Sequence, residues 1–574
     1  MIEPRARRQL TIRPGPGVPL RRLTSDLRDA GLAFQADPGS RCLVTGQDSL
    51  DDVVAALKAW TLQLAPPLDS IVGTAASFEA QHQAALNVCR TLGEDSEAAY
   101  AALAGYAGVA TLDPHQVTAV AIAAHPDVRG LCLFDEQGLG KTVEALFAFD
   151  RLRETGLVDR ILIFAPKNMV LEWVNDLRRF FGAKYRAVAV VGDEAEKRRL
   201  LDQQADLYVT NFESALRLGP RLREVLGRQG LLVVDESFFV KNGDSQRTAA
   251  VARVRTAAAR CIVLCGTPAP NSAVDLVEQF NIADGGVAFV GAKLPTDPAI
   301  AREMVADVIA ERGVYLRRLK SQVLELPGRA FNRVQVELEA RQRELYDAAL
   351  SGLVADVLAT DDETFHKRRA TFAARRMSLL QACSNPLALD PDYKALPAKL
   401  AALDELLIEL IERRGEKVLV WSFFTKSINA IMSRYARYAP VRIDGSVTRT
   451  EDRREAVRRF QDDDTTMLFV GNPAAAGAGL TLHRARHAVY ESMSNQAAHY
   501  LQSLDRVHRR GQKRPVEYHV LLATDTIEAS EYQRLLLKEA AAQELLGDAV
   551  ELPQTREGLL AELLGSQVQG NLPG

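Results

Sequence analysis

The run LCLFDEQGLGKTVEALFAFD, residues 131–150, decides the fold. LCLF has the length and continuity of a strand buried on both faces. The stretch VEALFAFD repeats its apolar positions at helical spacing. Between them lies a turn that carries Gly138 and Gly140. These glycines let the backbone bend tightly and point its N–H groups inward. Lys141 and Thr142 follow at the helix N-terminus, where unpaired N–H groups and the helix dipole attract anions. Such a turn cradles phosphates, with Lys141 reaching the outer phosphates and the Thr142 hydroxyl taking a Mg²⁺ coordination position. Asp135 stands where the pattern G-x-x-x-x-G-K-[ST] usually has its first glycine. The bland alternative, a glycine turn that only caps a helix, is disfavoured by the strand and helix on either side.

Downstream the same alternation continues. ILIFAP (161–166), LYVT (207–210), LLVVDE (231–236) and CIVLCGTP (261–268) are short apolar runs separated by helical segments. A second series follows at KVLVWS (417–422), VRIDGS (441–446), MLFVGN (467–472), HAVYES (487–492) and VEYHVLLA (516–523). Continuous apolar strands alternating with helices read as doubly wound parallel sheets. The fold class is therefore α/β, with two lobes in tandem. The expected division is a small α+β domain over 1–105, a first lobe over 106–330, a helical insertion over 331–395, a second lobe over 396–545 and a helical tail over 546–574. LLVVDE ends on Asp235 and Glu236, at a strand C-terminus, where open α/β sheets bind ligands. Asp235 would hold Mg²⁺ through water, and Glu236 would polarise an attacking water.

Composition fits this reading. The chain has 574 residues, 47% hydrophobic and 25% charged, the profile of a globular protein. No run approaches the ~20 apolar residues of a membrane span, so no membrane partner is expected. The first residues are basic without the apolar stretch of a secretory signal, which reads as intracellular. Six cysteines are too sparse for a disulfide scaffold and are expected to serve as core residues. A formal net charge of −3 gives no global hint of nucleic-acid binding, so positive charge would have to be concentrated locally.

Taken in order, these motifs resemble the Swi/Snf-like family of superfamily-two helicase-type ATPases over roughly residues 110–535. DEQGLGKT resembles that family's own phosphate loop, and LDPHQ its adenine-reading motif, which implies Gln116 as the base contact. IFAPKNMVLEWVNDLRRF and VTNFESAL resemble first-lobe motifs that contact the nucleic-acid backbone. They imply Lys167, Asn168 and Thr210 as contacts, with Trp173 read as core. VLCGTPAPN resembles the coupling motif, with Gly266, Thr267, Pro268 and Asn271. In the second lobe, VLVWSFFTKSINAI and RIDGSVTRTEDRREAVRRF resemble substrate-gripping motifs, and GNPAAAGAGLTL resembles the family's penultimate motif. They imply nucleic-acid contacts at Ser422, Gly445 and Asn472, and a nucleotide contact at Gly479. HYLQSLDRVHRRGQKRP matches the family's most specific signature, Q-x-x-D-R-x-H-R-x-G-Q. Arg506 and Arg509 resemble its arginine fingers, and Gln502 and Asp505 its coupling residues.

One departure concerns coupling. The family usually follows its acid pair with His two residues on; here Phe238 stands there, which leaves hydrolysis chemistry intact and puts its coupling to DNA in question. A local repacking around Phe238 is the favoured reading. The resemblance implies two RecA-like lobes, ATP and Mg²⁺ as cofactors, and duplex DNA as partner, held through its phosphate backbone. It implies translocation that displaces bound proteins. A strand-separating helicase, an RNA-directed enzyme and a nucleotide-gated scaffold with weak turnover are the alternatives. The basic stretches 366–376 and 506–514 are local candidates for DNA contact, the first reading better as a solvated helix. A compact core with a small N-terminal addition resembles prokaryotic members, which implies a cytoplasmic, nucleoid-associated protein. The first 105 residues would confer target choice, through a protein partner.

Overall fold

The computed structural model describes residues 2–5, 9–12, 14, 24–25, 27–28, 34–37, 42–46, 66–269, 272–476, 480, 482–493, 497–509, 511–543 and 555–568. The chain forms two compact units, Met1–Asn87 and Val88–Gly574, so the division expected at 105 falls earlier.

The first unit carries an antiparallel sheet of β1 (Ile2–Arg5), β2 (Gln9–Ile12), β3 (Gln35–Asp37) and β4 (Cys42–Gly46), in the order β1-β2-β4-β3. The Pro66–Pro67 pair opens the helix Pro66–Glu94, since proline's fixed φ suits a first helical turn.

In the second unit the first lobe is built on seven parallel strands. These are β5 (Gly130–Leu133), β6 (Arg160–Phe164), β7 (Ala187–Val190), β8 (Leu207–Thr210), β9 (Gly230–Asp235), β10 (Arg260–Leu264) and β11 (Tyr315–Leu316). Their order is β11-β5-β10-β9-β6-β8-β7. The central strands β8, β9 and β10 are buried along their whole length, which is why they read as unbroken apolar runs. Phe134, Phe164, Phe280 and Leu232 are completely or almost completely buried in the core of this lobe.

The second lobe has six parallel strands: β12 (Arg329–Val336), β13 (Val418–Trp421), β14 (Val441–Ile443), β15 (Leu468–Gly471), β16 (His487–Tyr490) and β17 (Val516–Ala523), in the order β12-β17-β16-β13-β15-β14. The expected lobe boundary at 330 and the start of the helical insertion at 331 are corrected by β12. This edge strand pairs with β17 from Arg329↔Val516 to Val336↔Ala523. Most of its side chains are exposed or half-buried, so no apolar run announces it. The helical insertion is the pair Ala340–Leu358 and Asp362–Ser384. The C-terminal helix Arg556–Val568 packs onto that pair, with Leu559 and Leu563 sharing a core with Leu353, Phe365 and Phe372. Arg376, in the basic stretch read as solvated, is instead buried between Glu531 and Glu562 at 2.5 and 2.6 Å. All six cysteines are buried. Among the described residues no helix is long and apolar enough to cross a membrane.

Candidate nucleotide site and nucleic-acid face

The phosphate loop joins β5 to the helix Lys141–Glu154. Gly138 and Gly140 both take positive φ, 89° and 93°, and a Cβ on Gly140 would sit 2.3 Å from Gln116 Nε2. The loop is therefore shaped by its glycines and closed from behind by Gln116. That residue donates from Nε2 to the Leu139 carbonyl at 3.1 Å and accepts the Asp113 N–H at 3.0 Å. It is buried and bonded to the loop, so its observed work is to hold the loop; in this arrangement its amide is not presented as a base contact. Lys141 Nζ donates to the Asp135 and Glu136 carbonyls at 2.6 and 3.3 Å, folding back over the loop. Thr142 is half-buried beside it at the helix start.

Asp135 explains its own presence. Its buried carboxylate is ion-paired with Arg318, which also reaches Glu144 at 3.1 Å. Burial and Asp135 push the Glu144 carboxyl up, against the pull of Arg318. Arg318 stands immediately after β11, so the start of the connection to the second lobe is bonded to the phosphate loop.

Asp235 and Glu236 end β9 beside the loop. Trp173 Nε1 donates to Asp235 Oδ2 at 2.9 Å, so this residue, read as core, also holds the acid. Burial and the Glu236 charge push the Asp235 carboxyl up to about 7. Glu236 adopts φ 51°, a left-handed conformation that is uncommon for a non-glycine residue. Gln137 Nε2 donates to its Oε1 at 3.0 Å, while its buried Oε2 has no hydrogen-bond partner among the described residues. The Thr267 hydroxyl is also buried without a partner there. Gly266 lies so close to Gln137 that a Cβ would meet Oε1 at 2.3 Å. Phe238 packs against the first-lobe core and stacks on Phe239, with centroids 4.4 Å apart.

Arg506 and Arg509 belong to the second lobe. Arg506 Nε donates to the Gln502 carbonyl at 2.9 Å and Nη1 to the Leu480 carbonyl at 3.2 Å; Nη2 is buried without a partner among the described residues. Burial and the Arg509 charge lower its pKa to about 10, and Asp505 and Glu236 oppose that fall. The Glu236 carboxylate is thus within electrostatic reach across the cleft. Arg509 interacts likewise with Asp176 of the first-lobe helix Val170–Phe181. Among the described residues, two ion pairs tie the second lobe to the first and to the segment that follows it. Lys320 Nζ bonds Asp505 while lying 3.8 Å from Glu136 of the phosphate loop, and Arg454 pairs with Glu172 at 3.2 Å. Gln502 is buried. Gly479 and Asn271 lie outside the described residues.

The expected nucleic-acid contacts divide. Lys167, Asn168 and Gly445 are exposed, and Asn472 is half-buried, donating to the Phe423 carbonyl at 2.9 Å. Thr210 and Ser422 are corrected: both are completely buried. Thr210 lies 2.7 Å from the Ser214 hydroxyl, and Ser422 donates to Glu491 at 2.7 Å. Each ends a central strand inside its lobe, so neither faces a phosphate. Sequence reading missed Lys197. It bonds Asn211 and Ser214 at 2.7 and 2.8 Å, and desolvation, with Lys167 and Arg217 nearby, lowers its pKa. The three cations Lys167, Lys197 and Arg217 lie together with Glu213, and Glu194 is 4.0 Å from Arg217. The grouping left no signal in sequence, because the three come from separate elements.

Two parallel lobes, a phosphate loop, an acid pair and arginines facing it from the other lobe define a helicase-type ATPase core. Residues 73–290 match the SNF2-related domain and residues 398–511 the helicase conserved C-terminal domain. The chain belongs to the Swi/Snf-like family of superfamily-two ATPases. It is 27% identical over 71% of its length to human "SWI/SNF-related matrix-associated actin-dependent regulator of chromatin subfamily A member 1", covering 40% of that protein. It is 27% identical over 78% of its length to "ISWI chromatin-remodeling complex ATPase ISW1" of Saccharomyces cerevisiae, covering 41%. The chain thus spans about two-fifths of the length of these relatives. Among solved structures, "Sulfolobus solfataricus SWI2/SNF2 ATPase core in complex with dsDNA" shares 23% identity, with 79% of this chain and 96% of that chain covered and a TM-score of 0.36.

Proposed function

We propose that this chain hydrolyses ATP between its two lobes and uses the cycle to move along duplex DNA, displacing or remodelling bound proteins. One observation carries the reading: Arg506 of the second lobe, desolvated and with an Nη2 that has no partner among the described residues, lies within electrostatic reach of Glu236 on the first. A buried guanidinium with a spare donor is suited to an anion entering the cleft.

The loop residues fit a triphosphate. Lys141 would exchange two carbonyl partners for phosphate oxygens, gaining charge-assisted bonds. Thr142 and Asp235 would hold Mg²⁺, which supplies neutralisation of phosphate charge when bound. Gln137 fixes one oxygen of Glu236 and leaves Oε2 to accept a proton from the attacking water. Trp173 keeps Asp235 oriented. Arg506 and Arg509 would meet the charge that develops on the transferred phosphoryl group. Loss of the bridging phosphate charge would release the lobes, and alternating grip would advance the protein. Lys167, Lys197 and Arg217 would grip the backbone without reading bases.

The test is ATP hydrolysis with duplex DNA, single-stranded DNA and RNA, beside triplex-displacement and strand-separation assays. Hydrolysis stimulated best by duplex, with a third strand displaced and the duplex left paired, is the expected outcome. Separated strands would mean a helicase, best stimulation by RNA would mean an RNA-directed enzyme, and turnover indifferent to nucleic acid would mean a gated scaffold. Phe238 is the feature that favours the scaffold. If it only packs, F238H leaves DNA stimulation within a few-fold of the parent.

A further inference from the structure

Strand β16 opens on His487, and β17 carries Glu517 and His519. The register sets His487 opposite Glu517 and Val489 opposite His519. The three side chains therefore project from one face of the sheet. Nδ1 of His487 is 3.3 Å from Nε2 of His519, and Glu517 Oε2 is 3.9 and 4.0 Å from those nitrogens. His487 is completely buried, His519 is 7% exposed and Glu517 is half-buried.

Zinc binds imidazole nitrogen at about 2.0–2.1 Å in tetrahedral geometry, which sets ligand atoms about 3.3 Å apart. The two nitrogens already have that spacing. The carboxylate has only a fraction of an ångström to advance. Glu517 satisfies its other oxygen with Arg486 at 2.7 Å, so Oε2 is the atom left facing the rings.

We propose that His487, Glu517 and His519 form a site for a zinc-class divalent cation, with two imidazole ligands, one carboxylate and a fourth position for water. The surrounding charges are Arg486, Arg414, and Glu416, the last tied to Arg514 at 2.6 Å. Arg486 Nε donates to His487 Nε2 at 3.1 Å, which places the ring proton on Nδ1. Cation binding at Nδ1 moves that proton to Nε2 and turns Arg486, whose side chain is 22% exposed, toward solvent. Glu517 follows the arginine-bearing segment by a few residues, at the start of β17. Gln512 of that segment donates to the His483 and Ala485 carbonyls at 3.1 and 2.9 Å, just before β16. A bound cation would pin the two strand starts from which the segment hangs.

The test uses the full chain, stripped with a chelator, then titrated with Zn²⁺ by calorimetry and with Co²⁺ by visible absorption. One equivalent should bind, with a low-coordination Co²⁺ spectrum, and Zn²⁺ should raise the melting temperature of the wild type. H519Q and E517Q should each lose more than about 100-fold in affinity, beyond the range for merely supporting residues. R486Q, which keeps all three ligands, should still bind. No uptake by the wild type, equal affinity in H519Q, or a loss in R486Q as deep as in H519Q would overturn the site. The E517Q melt in chelator, expected to match the wild type, separates ligand loss from unfolding.

Discussion

Glu236 holds a left-handed backbone with one carboxylate oxygen bonded to Gln137 and the other buried without a partner among the described residues. Strain and an unsatisfied acceptor at one residue are tolerated where chemistry needs them. E236Q should keep nucleotide binding and lose nearly all turnover, measured by nucleotide titration beside phosphate release. Removal of the guanidinium opposite, in R506A, should lower kcat by about 10³-fold or more, the usual worth of an arginine finger. Asp235 makes a different prediction. Its native pKa of about 7 stands above the ordinary 3.8. The folded state keeps this proton while the unfolded state has lost it, so stability falls as pH rises from about 4 to about 7. Nucleotide-free D235N escapes that loss. It should melt above the wild type at pH 8, with an advantage on the order of 1 kcal/mol or more, and the difference should shrink toward pH 5.

At the scale of elements, the segment after β11 joins the phosphate loop to the arginine segment. Lys320 sits against Glu136 and Gly138 of the loop and bonds Asp505 of the second lobe. K320A and D505N should each cut DNA-stimulated kcat by about tenfold, and the double variant should be no worse than either, the signature of one shared interaction. This element also marks how far the sequence was legible. GLGKT, the acid pair and the arginine signature are contiguous, and each carries its chemistry within a few residues. The central strands were legible because burial on both faces makes them uniformly apolar. Arg318 on Asp135, Trp173 on Asp235 and Lys320 on Asp505 were not, because each pairing joins distant segments that only the packed sheets bring together. β12 was hidden for a related reason, since an edge strand with exposed side chains takes its register from β17. Thr210 and Ser422 were misplaced because a short polar residue ending an apolar strand reads the same whether its hydroxyl turns outward or into the lobe.

At the scale of the molecule, Lys320 and Arg454 tie the second lobe to the first. Removing residues 1–65, which ends just before the helix Pro66–Glu94, should preserve DNA-stimulated hydrolysis; a collapse of that activity with loss of the folded melt would make the first unit structural instead. Grip through Lys167, Lys197 and Arg217 should weaken steeply with salt and little with DNA sequence, measured as binding to two unrelated duplexes across an ionic-strength series.

The passage between the sheets runs through residues 317–328. Its first residues are fastened to the fuel site: Arg317 to the Phe134 and Gly266 carbonyls, Arg318 to Asp135, and the Lys320 N–H to Glu136 at 2.7 Å. A hindering load on the second lobe would therefore reach the glycine loop through this segment, as it reaches the helix Val170–Phe181 through Arg454. Pulling Arg318 away from Asp135 would slacken that loop, so under opposing tension in an optical trap the KM for ATP should climb well before the motor stalls.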